Sequence, residues 1–158
     1  TDRAIAAQAL ALADAAHLQD RELPTLSGGE RARVHMAAAF AQLWERAAPQ
    51  PRYLLLDEPT AALDLAHQHH LLATVRAFAA ERGLGVLAIL HDLNLAAQYA
   101  DRVFVLRDGR LLAQGAPAEV LTPQLIADGF AVSARVLAHP LKPAPLVATA
   151  QRSASAAV

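Results

Sequence analysis

Tyr53-Leu54-Leu55-Leu56-Asp57-Glu58-Pro59-Thr60 is an apolar run that stops at two adjacent carboxylates. A short, turn-bounded apolar run predicts a strand buried on both faces, which delivers the residues after it to the carboxyl edge of a parallel sheet. That edge is where α/β proteins bind ligands. Two neighbouring acids repel unless a cation or a protonated substrate atom shares the site, so Asp57 reads as a Mg²⁺ partner and Glu58 as a general base. The alternative is a strand that ends in a solvated acidic turn, and the remainder of the chain has to decide between the two.

The chain has 158 residues, enough for one domain with its own core. Its hydrophobic share of 54% is largely alanine, and only 4% of residues are aromatic. No apolar run approaches the roughly 18 residues of a membrane span. The opening Thr1-Asp2-Arg3 lacks the basic-then-apolar pattern of a secretion signal. With no cysteine, disulfides and thiol catalysis are excluded. A net charge of −1 with mixed signs argues against a nucleic-acid surface. Lys142 is the sole lysine, and no Gly-x-x-x-x-Gly-Lys-Ser/Thr occurs.

Outward from the strand, Asp2 to Ala16 reads as a helix and Arg21 to Leu26 as a loop. Ser27 and Glu30 form a capping box that opens a helix toward Arg46, before the Pro49-Gln50-Pro51 break. Asp64 is the expected N-cap of a helix from Leu65 to Arg82 that Gly83 closes. Leu84 to Leu90 is a second buried strand, followed by His91 and a helix over Asp92 to Ala100. Val103 to Leu106 and Arg110 to Ala113 pair through Asp108-Gly109, a hairpin dipeptide. A helix begins at Thr122-Pro123, Phe130 to Leu137 reads as a strand, and the Ala/Ser-rich end from about Ala148 reads as a disordered tail. The alternation predicts an α/β fold with a parallel sheet core and an antiparallel hairpin.

Leu26-Ser27-Gly28-Gly29-Glu30, then Asp57-Glu58, then Leu63-Asp64, then His91 after the next strand form an ordered set that resembles the ATP-binding cassette (ABC) ATPases. The resemblance covers roughly residues 1 to 140. It makes Leu26 to Glu30 the signature motif, Leu54 to Asp57 the Walker B strand, Ala61 to Asp64 the D-loop and His91 the switch histidine. It implies the C-terminal part of a P-loop NTPase fold. Residues 1–26 would end the helical subdomain, 27–115 belong to the ATPase core, 116–149 form C-terminal helices and strands, and 150–158 the tail.

The implied roles are physically reasonable. Gly28 and Gly29 let the backbone approach a phosphate, and the amides at a helix start point their positive end at it. Ser27 adds a hydroxyl, while Ser27 and Glu30 also cap the helix. Ser27, Gly28, Gly29, Glu30 and Asp64 are thus the candidate ATP-binding residues. Asp57 is the Mg²⁺ residue, and Glu58 and His91 are the catalytic pair, His91 donating to the γ-phosphate. His67 and His70 share a helix face and read as solvated, since no third metal ligand is in sight. His17, His35 and His139 have no readable partner.

The chain departs from the family at three places. Glu30 stands where glutamine is commonest, and Ala61 where serine is frequent. The P-loop and the glutamine loop precede the signature in this family, and Gln8 and Gln19 lie too close to it to substitute. The expectation is therefore the C-terminal part of a longer ATPase that alone binds ATP weakly or not at all. His91-Asp92-Leu93-Asn94-Leu95-Ala96-Ala97-Gln98-Tyr99-Ala100-Asp101-Arg102 resembles importers of iron chelates, haem and cobalamin, and Leu63-Asp64-Leu65-Ala66-His67-Gln68-His69 with His139-Pro140 and Pro145-Leu146-Val147 looks most like the hemin importers. The implied partners are a second ATPase subunit, transmembrane permease subunits and, indirectly, a periplasmic binding protein, with no nucleic acid. The implied place is the cytoplasmic face of the bacterial inner membrane. The alternatives are a ferric siderophore or cobalamin importer, a non-catalytic remnant, and, most distant, a soluble ABC ATPase of DNA repair or translation.

Overall fold

The computed structural model describes residues 1–45 and 50–152. Arg46, Pro49 and residues 153–158 of the expected tail lie outside the described residues. The chain divides into two compact units, Thr1–His91 and Asp92–Val158.

The first unit contains α1 (Asp2–Leu12), α2 (Gly28–Gln42), β1 (Tyr53–Asp57), α3 (Leu65–Arg82) and β2 (Gly85–Ile89), with single 3₁₀ turns at Ala16–Leu18 and Leu23–Thr25. Helix α1 stops short of the predicted Ala16 because Asp14 takes up the left-handed conformation at φ 53°, which aspartate tolerates better than most residues. The capping box at Ser27 forms as predicted: the Ser27 amide donates to Glu30 Oε2 at 2.7 Å, and the Glu30 amide donates to Ser27 Oγ at 3.3 Å. Asp64 caps α3, and Gly83 ends it in the left-handed conformation at φ 64°.

β1 and β2 pair in parallel, with Leu55 opposite Leu87 and Asp57 opposite Ile89. Only one face of this pair is covered. Leu54 and Leu56 are buried, whereas Tyr53 is 65% exposed, Leu55 71% and Leu87 57%. The expected burial of β1 on both faces is therefore corrected: a strand's side chains alternate between faces, and only the face toward α2 and α3 meets a partner among the described residues.

The core gathers Phe40, Met36, Leu54, Leu56, Leu71, Val75 and Phe78. The Phe40 and Phe78 rings lie 4.7 Å apart in a tilted arrangement, and Trp44 continues the stack at 5.7 Å. Two arginines finish the helix ends. Arg82 lies over the rings of Trp44 at 4.3 Å and Phe78 at 4.7 Å, and donates to the Trp44 carbonyl. Arg52 donates to the carbonyls of Leu43, Glu45 and Arg82. These guanidinium groups supply donors for carbonyls that a helix end leaves unpaired.

The second unit runs α4 (Leu93–Tyr99), β3 (Val103–Arg107), β4 (Arg110–Gly115), α5 (Pro117–Val120), α6 (Pro123–Phe130), β5 (Val132–Ala138) and β6 (Pro145–Gln151). β3 and β4 are antiparallel about Asp108-Gly109, both residues at positive φ, the turn that matches strand twist. The strand predicted over Phe130 to Leu137 forms at Val132–Ala138, because Phe130 still belongs to α6. Ala148 to Gln151, expected to begin the tail, pair as β6 with β5, Ala148 opposite Arg135. Backbone pairing with a partner strand outweighs their weak local preference.

Asn94 ties α4 to that hairpin. Its side-chain amide donates to the Val147 carbonyl at 3.1 Å, and its side-chain oxygen accepts from the Val147 amide at 2.7 Å. Asn94→Ala removes both partners of a backbone pair beside the buried Val147 side chain, so chemical denaturation should show a loss of about 1–3 kcal/mol. Asn94→Asp keeps only the acceptor and should fall between the two. An unchanged midpoint for Asn94→Ala would show that water replaces the clasp at no cost.

Candidate functional site

All the sequence-predicted site residues belong to the first unit. They enter it from four places: the start of α2, the carboxyl end of β1, the loop into α3, and the residues just after β2.

β1 ends at Asp57, and Glu58 follows at φ 46°, a left-handed conformation uncommon for a residue with a side chain. The Glu58 amide donates to the Ile89 carbonyl at 3.2 Å, so the turn is pinned to the end of β2. The same parallel register carries His91 to this edge, where its Nε2 lies 2.6 Å from Glu58 Oε1. The two predicted catalytic side chains are thus in contact. Both are accessible, His91 at 76% of its side-chain surface and Glu58 at 47%, which leaves room for a third party. Asp57 is also exposed at this edge. Mg²⁺ keeps several waters and takes few carboxylates, so a single accessible aspartate fits a site completed by substrate oxygens and water. Among the described residues, no group of three or more His, Cys, Asp or Glu side chains is arranged to hold an ion by itself.

At the start of α2, Gly28 and Gly29 occupy the first helical positions, where main-chain amides lack intrahelical partners. Ser27 Oγ is engaged in the cap, leaving its hydroxyl proton available to a ligand. Glu30 faces inward to the cap, and its second oxygen meets Arg21 Nη1 at 3.1 Å. The backbone and side-chain hydrogen bonds from Ser27, assisted by Arg21, hold the Glu30 carboxyl below its usual range. Glu30 acts on this loop by fixing Ser27.

The loop Ala61–Asp64 lies against these glycines. A Cβ at Gly29 would sit 3.1 Å from the Ala62 carbonyl oxygen, and one at Gly28 would meet Ala62 Cβ at 3.9 Å. Gly29 therefore allows a close approach within the chain that a side chain would crowd. Asp64 accepts from the His67 amide at 2.9 Å and meets His67 Nδ1 at 2.8 Å, and these contacts, backbone first, lower its pKa. His67 Nε2 reaches Asp14 Oδ2 at 3.6 Å. The solvated reading of His67 is thus corrected: local spacing could not show a carboxylate that arrives from the turn after α1. Gln68 also reaches into this loop and was missed in the sequence. Its signal was its place in the first turn of α3, where side chains can reach back over an entering loop.

The chain is similar to a hemin import ATP-binding protein of Gloeobacter violaceus, with 57% identity over 92% of this chain and 53% of that protein. It is 62% identical to a hemin import ATP-binding protein of Burkholderia thailandensis over 79% of this chain and 47% of the relative. The chain thus spans about half the length of these relatives. Among solved structures, one described as a metal-chelate type ABC transporter in an inward-facing conformation aligns with a TM-score of 0.76 and 26% identity, over 93% of this chain and 57% of the other. No family model matches the chain.

The Glu30 contacts predict a pH signature. A carboxylate with a depressed folded-state pKa contributes stability that is complete above its ordinary value of 4.5 and is lost as pH falls through the lower folded value. Glu30→Gln keeps an acceptor for Ser27 but cannot titrate. Melting temperature followed from pH 6 downward should therefore fall less steeply below about pH 4.5 in Glu30→Gln than in the native chain. Parallel curves would show that the capping contacts are screened away in solution.

Proposed function

Because the chain belongs to the ABC ATPases, we propose that it forms part of the ATP-hydrolysing subunit of an importer for hemin. The observation that carries this reading is the contact at the end of β1: Glu58, turned left-handed and pinned to Ile89, faces His91 at 2.6 Å beside the exposed Asp57. The similarity to hemin import ATP-binding proteins supports hemin as cargo, with an iron chelate of another kind as the neighbouring case.

In this reading Glu58 accepts a proton from the water that attacks the γ-phosphate, and His91 donates a hydrogen bond to a γ-phosphate oxygen as charge builds there. Their mutual contact holds both groups at one edge. Asp57 would hold Mg²⁺, which offsets phosphate charge when bound. Ser27 and the amides of Gly28 and Gly29 face ATP held by a second ATPase subunit, so each site is completed across a dimer. The cradle for the other phosphates is assigned to a P-loop outside this sequence. The subunit docks on transmembrane permease subunits at the cytoplasmic face of the inner membrane, and a periplasmic binding protein delivers the cargo to those permeases from the opposite side. No helix among the described residues is long and apolar enough to cross a membrane, which suits a subunit docked on others.

In a complete subunit, Glu58→Gln should leave ATP binding intact and lower turnover by about 10²- to 10⁴-fold, since an amide cannot take the proton. Asp57→Asn should differ by responding to excess Mg²⁺. Equal rescue of both variants by Mg²⁺ would overturn the division of roles. His91→Ala should lower turnover with no change in melting temperature, because the side chain is 76% exposed and supports no core. A variant that melts early yet turns over normally would make His91 a structural residue.

A further inference from the structure

The loop from Thr60 to Asp64 has few regular backbone bonds of its own. The Ala61 amide donates to the Glu58 carbonyl at 3.2 Å, and the Leu63 amide to the Thr60 carbonyl at 3.2 Å. The carbonyls of Thr60 and Leu63 both also meet one side chain. Gln68 Nε2 donates to Thr60 O at 3.2 Å and to Leu63 O at 3.1 Å. Thr60 and Leu63 are both buried residues; the Thr60 carbonyl takes the Gln68 donor in addition to the Leu63 amide, and the Leu63 carbonyl takes the other. Residue 68 is therefore constrained to carry two N–H groups on a stem of this length.

What the clamp holds matters. Between its two carbonyls lies Ala62, whose own carbonyl faces the open α-position of Gly29, and Leu63 packs within 3.8 Å of where a Gly29 side chain would begin. Before the clamp, the loop leaves directly from Glu58. The clamp thus fixes a rigid span between the general base at the end of β1 and the glycines at the start of α2.

We propose that Gln68 is a positioning residue for ATP hydrolysis, which joins Glu58 and the Gly28-Gly29 turn into one unit by drawing the Thr60 and Leu63 carbonyls onto its amide. His67, beside it, secures the same loop end through Asp64 and Asp14. The role rests on the ATPase reading above, while the clamp itself does not. In a closed dimer the site that Glu58 serves and the site that Ser27 covers belong to different nucleotides, so Gln68 makes the arrangement of one depend on the other.

The test uses three substitutions. Gln68→Met keeps the bulk and removes the donors, Gln68→Glu replaces donors by oxygens that repel both carbonyls, and Gln68→Lys restores a donor on an alkyl stem. In the 158-residue chain, amide hydrogen exchange at Ala61 and Leu63 should quicken about tenfold or more in the Met and Glu variants and return toward native rates in Lys, with amides in the middle of α3 unchanged. In the complete ATPase, the Met and Glu variants should lose about 10- to 100-fold in kcat, with the KM for ATP unaltered. Unchanged exchange at Ala61 and Leu63, or acceleration spread evenly through α3, overturns the proposal, as does a KM change equal to that in kcat. A native complete protein that fails to hydrolyse ATP would instead sink the ATPase reading, while the exchange data would still decide whether Gln68 holds the loop.

Discussion

The parallel pairing of β1 with β2 is the constraint on which the first unit's chemistry depends. With Asp57 opposite Ile89, the Glu58 amide reaches the Ile89 carbonyl, and that bond holds the chain where it turns left-handed. A slip of one residue would move every side chain of β1 to the other face. It would bury the carboxylate edge and expose Leu54 and Leu56, so the core and the site specify the same register. Glu58, His91 and the entry to the Ala61–Asp64 loop are consequences of that single alignment.

Around it, the polar groups work as holders. Ser27 and Glu30 close the start of α2, Asp64 and His67 the start of α3, and Gln68 the loop between. Arg52 and Arg82 complete the opposite helix ends with donors to four backbone carbonyls, those of Leu43, Trp44, Glu45 and Arg82. The candidate site is consequently set by short-range hydrogen bonds at helix ends. Its side chains remain accessible while its backbone is fixed, which suits the phosphate site proposed for it.

The elements visible in the sequence are those with local causes. Ser27 with Glu30, Asp64 with Gly83, and Asp108-Gly109 each carry their own hydrogen-bond or dihedral logic, and each forms where it was expected. The order of Ser27, Asp57, Glu58, Asp64 and His91 was legible in another way, through its resemblance to the ABC ATPases. Long-range partners were not legible. Nothing local to His67 tells of Asp14, and nothing in Ala148 to Gln151 tells of β5. β1 shows the opposite case: its continuous apolar run is suited to two covered faces, yet Tyr53 and Leu55 are exposed in a chain about half the length of its relatives. The Gly29 contact with Ala62 was hidden because a glycine kept for packing and one kept for a ligand look alike in sequence.

The central claim is that this signature turn and this β1 edge serve two different ATP molecules in one dimer. The most direct measurement is the structure of the complete transporter held with Mg²⁺ and a slowly hydrolysed ATP analogue. The account predicts that His91 Nε2 and the Glu58 carboxylate flank the γ-phosphate of the nucleotide bound by their own subunit. Ser27 Oγ and the Gly28-Gly29 amides should lie within about 3.5 Å of the γ-phosphate held by the partner. A γ-phosphate contacted by Ser27 and Glu58 of the same subunit, or a closed dimer in which His91 and Glu58 face only water, would contradict it.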